Sequence, residues 1–112
     1  MSLRAVQPAL IERIWYARSP QGAMTTMALQ VSAPVPHDQF DWTCTAVLGD
    51  LEGGRQHDLF GIDSWQAVQL TMSFIVLRLG HFGESGWTFY WDAAGQERAL
   101  PAELLPTPVA HR

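Results

Sequence analysis

The sequence predicts an α+β domain: an antiparallel sheet of four to six strands with one long helix packed on one face, in the order ββββαβ. Three observations lead there. Strand-like segments cluster in the first half of the chain, a single long apolar segment with a helix-start signature follows them, and one short aromatic strand comes after it. Clustered strands with a lone helix favour an antiparallel sheet covered on one side over alternating βα units. The uncovered face is then free to meet water.

From Leu10 to Arg18 the chain is rich in Ile, Trp and Tyr and runs into Ser19-Pro20-Gln21-Gly22, a turn signal in which Pro sets φ and Gly permits φ > 0. Met24 to Ser32 alternates, with Met27, Leu29 and Val31 on one side and Thr26, Ala28 and Gln30 on the other, so it reads as the hairpin partner. Pro34 and Pro36 are expected to break pairing before a loop at His37 to Gln39. Phe40 to Leu48 places Trp42, Cys44, Ala46 and Leu48 on one face, and Arg55 to Phe60 returns as the fourth strand. On the opposite face Thr26, Gln30, Thr43 and Thr45 are expected to be solvated.

The strongest local signal is Asp63 followed three residues later by Gln66, a capping box at the head of a helix over about Ser64 to Leu79, with Gly80 and Gly83 placed to end it. One apolar face of that helix carries Trp65, Val68, Met72, Ile75, Val76 and Leu79. A second stripe carries Ala67, Leu70, Phe74 and Leu77. A helix apolar on most of its circumference asks for cover from two sides. The sheet supplies one; the carboxyl-terminal segment or another subunit supplies the other. Trp87 to Trp91 forms the last strand, and Ala99 to Leu105, which contains Pro101 and stops before Pro106, forms a strap. The domain thus spans 10–105, with an arm at 1–9 and a frayed tail at 106–112.

At 112 residues with 47% hydrophobic and 16% charged residues, the chain is long enough for one cored domain without a metal or disulfide framework. Its formal charge is -4, all seven basic residues are Arg, and they are scattered, which argues against nucleic acid. The longest apolar stretch, Ala67 to Leu79, is interrupted and short for a membrane span, and the first ten residues lack a signal-peptide core. A single cysteine excludes an intrachain disulfide, so the expected setting is a reducing cytoplasm, with no membrane partner.

Candidate chemistry is sparse. Cys44 and His57 become diagonal neighbours if Ala46 faces His57, which makes them the one plausible nucleophile and base. Cys44 nevertheless reads more simply as a small buried hydrophobe. His37, His57, His81 and His111 show no metal-ligand spacing, and His81 is placed just past the helix end, so no metal or other cofactor is expected. At Gly61-Ile62-Asp63-Ser64 the Asp63 carboxylate would repel a phosphate from the helix start, and the frame of a nucleophile elbow is absent.

The stretch Phe60 to Leu70, preceded by Asp41-Trp42-Thr43-Cys44, resembles a family of small uncharacterised bacterial proteins with a W-x-C strand and a G-x-D-S-x-Q-A helix start. Asp63, Ser64 and Gln66 match that pattern, and the similarity extends over roughly 10–105. It implies a small α+β domain and no catalytic residues.

The expected function is a non-enzymatic, self-associating interaction module, a twofold homodimer through Leu70, Phe74 and Leu77 or through Trp87 and Trp91. The rival reading is a small-ligand binder or modest hydrolase with a Trp-lined cleft and the Cys44/His57 pair. A third is a specific protein partner, such as a protein that neutralises a toxin.

Overall fold

The computed structural model describes residues 9–39 and 41–105. The expected tail at 106–112 lies outside these residues, as does the arm apart from Ala9, which already belongs to the first strand.

Strands β1 (Ala9–Arg18) and β2 (Met24–Ser32) form the long hairpin that organises the sheet. They pair from Arg18↔Met24 to Ile11↔Val31, with an irregularity between Ala9 and Ile11. The turn closes as its sequence demands: the Gly22 N–H donates to the Ser19 carbonyl at 2.8 Å, and Gly22 takes φ 96°.

Val35–Pro36 then forms a short strand, β3, against β4 (Trp42–Val47), where the two prolines were expected to prevent pairing. A proline missing its N–H is tolerated because β3 pairs on one side only. A 3-10 turn at Gly49–Glu52 leads into β5 (Gln56–Gly61), and helix α1 spans Ser64–Glu84. Strands β6 (Thr88–Tyr90) and β7 (Arg98–Ala99) precede a 3-10 turn at Pro101–Leu104, the strap. The sheet is antiparallel and has seven strands, above the four to six expected because β3 and β7 are two-residue additions. Its order runs β5-β4-β2-β1-β6-β7, with β2 and β3 sharing one edge of β4 and β5 taking the other.

Side-chain alternation gives the sheet one apolar face. Trp15, Ala17, Met27, Leu29, Val31, Cys44, Ala46, Phe89 and Ala99 form a single buried cluster with Ala67, Ile75 and Leu79 of α1. On the other face Thr26 is exposed, but Gln30 is buried and donates through Nε2 to the Glu12 carboxylate at 2.6 Å. That residue is therefore a satisfied polar group rather than a solvated one.

The helix begins where the capping signal places it. The Asp63 side chain accepts from the Gln66 N–H at 2.8 Å, and Gln66 Oε1 accepts from the Ile62 N–H at 2.8 Å. Its end lies further on than Leu79. Gly80 and Gly83 stay helical, because glycine permits the left-handed conformation without requiring it, and His81 falls in the last turn rather than beyond it. The stop is a Schellman motif: the Gly86 N–H donates to Gly83 O at 3.1 Å and the Trp87 N–H to Phe82 O at 3.1 Å, with Gly86 at φ 103°. Phe82 and Trp87 meet edge-on at 6.0 Å, the apolar contact that accompanies this stop.

The buried meridian of α1 is Ala67, Thr71, Ile75 and Leu79, one residue per turn. It combines members of both expected stripes. Thr71 joins because its hydroxyl donates to the Ala67 carbonyl at 2.7 Å, which removes the cost of burying it. Trp65, expected on the covered face, is 74% exposed instead.

Candidate functional site

Register on β5 decides what the two candidate catalytic residues can reach. Cys44 lies opposite Leu59 and Ala46 opposite His57, so Cys44 and His57 are diagonal on the helix-facing side. Each is engaged elsewhere. The Cys44 thiol is buried and donates to the Ser32 carbonyl at 3.2 Å, while the Ser32 hydroxyl accepts from the Thr45 N–H at 2.8 Å. The thiol therefore closes the junction where β2 leaves β4.

His57 Nε2 meets Glu52 Oε1 at 2.6 Å, and its ring packs on Phe74 at 4.7 Å between centroids. The other Glu52 oxygen accepts from Arg78 Nε at 3.1 Å and also from Arg78 Nη2. Glu52 is thus a buried carboxylate, its side chain 6% exposed, shared between β5 and α1. Burial works to raise its pKa. Hydrogen bonds from Arg78 and then His57 outweigh that, and the carboxyl titrates below its ordinary 4.5. The Arg78 guanidinium also lies over Phe82 at 5.4 Å. This Glu–His–Arg group clamps the first 3-10 turn onto the helix. Glu52 and Arg78 were missed in the sequence because 26 positions separate them and neither belongs to a recognisable motif.

The five Trp residues are dispersed through the fold. Trp15 is fully buried, Trp87 packs on Phe82, and Trp65 stands exposed at the helix start. Trp91 meets Trp15 edge-on at 5.4 Å and carries Arg13 over its ring at 5.2 Å. The loop after Trp91 is held by Asp92, whose carboxylate accepts from the Glu97 and Gln96 amides; the Glu97 bond leads in lowering its pKa.

The expected interface residues divide. Phe74 is half-buried over His57, and Trp87 is half-buried at the helix stop. Leu70 and Leu77 are 43% and 58% exposed. They lie one turn on either side of Phe74, and so project from the flank of α1 that overhangs β5. The strap does not cover them. Its Leu104 packs beside Met72 and Ile75, on the other flank of the helix. β5 pairs with β4 alone, so its outer edge is unpaired among the described residues.

Residues 11–102, from β1 into the strap, match a family described as a domain of unknown function, DUF6968. The chain belongs to that family. No curated protein and no solved structure matches the chain. Among the described residues no group of three or more His, Cys, Asp and Glu is placed to hold a metal ion, and no helix is long and apolar enough to cross a membrane.

Proposed function

We propose that this DUF6968 domain is a non-enzymatic, self-associating interaction module that pairs about a twofold axis through the β5 edge and the Leu70–Leu77 flank of α1. The observation that carries this reading is the exposure of Leu77 and Leu70, 58% and 43%, beside a strand that pairs on one side only among the described residues. An open edge offers a row of backbone donors and acceptors that a second β5 satisfies in antiparallel register. Two leucines spaced by two helical turns then meet their own copies, because a twofold interface is self-complementary. Phe74 packs on the His57 ring beneath this flank.

Sedimentation equilibrium tests the proposal. Wild type is expected to dimerise with rising concentration, and Leu70→Glu with Leu77→Glu to remain monomeric at unchanged circular dichroism. Wild type that stays monomeric into the high micromolar range, or a double variant that dimerises as well as wild type, refutes it.

A further inference from the structure

Away from that flank, between α1, β1 and β2, lies a cavity of about 250 Å³. Its apolar wall is Ile11, Leu29, Val31, Met72, Ile75 and Leu104, so the strap forms one side of it. Arg13 also lines it, and the pairings Arg13↔Leu29 and Ile11↔Val31 put these four residues on the same face of the sheet. Glu12 contributes to the wall as well, but its carboxylate is engaged by Gln30. The ion pairs among the described residues are those of Glu52, so Arg13 stands there without an acidic partner, in contact with the Trp91 ring.

We infer that this cavity binds a small amphiphilic carboxylate, with its hydrocarbon part between the helix and the β1–β2 hairpin and its anionic end at the Arg13 guanidinium. An apolar cleft, open to solvent on one side and with one cation in its wall, has that complementarity: hydrocarbon entering it leaves water, and the planar guanidinium offers paired donors to a carboxylate. The size agrees. A dry cavity of about 150 Å³ holds benzene, so this one accommodates a chain or ring somewhat larger. Leu104 is held as a wall by the turn around it, where the Leu100 N–H donates to Glu103 Oε1 at 2.7 Å and the Glu103 N–H to Leu100 O at 2.8 Å.

The test titrates wild type with hexanoate, 1-hexanol and hexylamine, which share a hydrocarbon chain and differ in charge, and follows the methyl resonances of Met72 and Leu104. Hexanoate is expected to saturate with a Kd of about 1 mM, a value appropriate to so small a ligand. Hexanol should bind about tenfold more weakly for want of the charge-assisted hydrogen bonds, and hexylamine more weakly still. Arg13→Gln, a change at an exposed side chain, should bring hexanoate down to the affinity of hexanol and leave hexanol unaltered. Equal affinity for the three probes, no saturable shift with hexanoate, or unaltered hexanoate binding by Arg13→Gln overturns the inference. The wild-type series decides the matter without any variant, and neither result depends on whether the domain dimerises.

Discussion

Glu52→Gln is the most informative single change in this fold, because it keeps the size of the side chain and removes only the charge. The glutamate side chain is 6% exposed and accepts from His57 at one oxygen and from the Arg78 guanidinium at the other. In the variant one of these positions becomes an NH2 group facing a donor. Hydrogen bonds to a charged group contribute about 1.5–3 kcal/mol. Arg78 is 34% exposed on its side chain, so water recovers part of its loss. The expected cost at neutral pH is about 2 kcal/mol, which for a domain near this size lowers Tm by roughly 10 °C. Because the folded-state pKa of Glu52 lies below 4.5, its contribution is complete above the unfolded value and disappears as pH falls through the lower, folded one. Urea unfolding of both proteins at neutral and at acid pH measures this. The gap in stability should be widest at neutral pH and close once the wild-type carboxyl is protonated. A gap under about 0.5 kcal/mol at neutral pH, within the range of ordinary surface substitutions, or one that is unchanged in acid, would show that the clamp is not what joins the 3-10 turn to the helix.

Other consequences are as direct. Gly61→Ala places a Cβ 2.6 Å from the Ala67 backbone nitrogen, and thermal unfolding should show a loss of about 1–3 kcal/mol from the forced separation of β5 and α1. Asp63→Ala removes the acceptor for the Gln66 N–H and should cost about 1 kcal/mol by denaturant titration; a neutral result would remove the cap from the account of where the helix starts. Cys44, buried and bonded to Ser32, should react with a thiol reagent only as fast as the protein unfolds, and rapid labelling under native conditions would contradict its placement.

Much of the fold is legible in local pattern. The β1–β2 hairpin follows from alternation ending at a Pro-Gly turn, and the helix start follows from Asp63 and Gln66, since these signals act over a few residues. The helix end is not legible locally: it lies past Gly80 and Gly83, at Gly86. Gly80, Gly83 and Gly86 are equally able to adopt a left-handed conformation, and what selects Gly86 is the burial of Phe82 against Trp87. The candidate site was legible only in part. Strand register made Cys44 and His57 diagonal as anticipated, yet their partners, Ser32 and Glu52, arrive from a strand end and a 3-10 turn that alternation does not describe.

By itself, then, the sequence determined the five longer strands, where the helix starts and which side of those strands is apolar, because these depend on periodicity and on capping groups a few positions apart; the two-residue strands β3 and β7 are too short to carry such a pattern. Tertiary structure decided which meridian of the helix is buried, that Trp65, Leu70 and Leu77 face outward, and that Arg13 borders an apolar cavity. A helix apolar on most of its surface has several nearly equivalent ways to lie on a sheet. The choice among them is made by contacts between residues distant in the chain, such as Gly61 against Ala67 and Glu52 against Arg78.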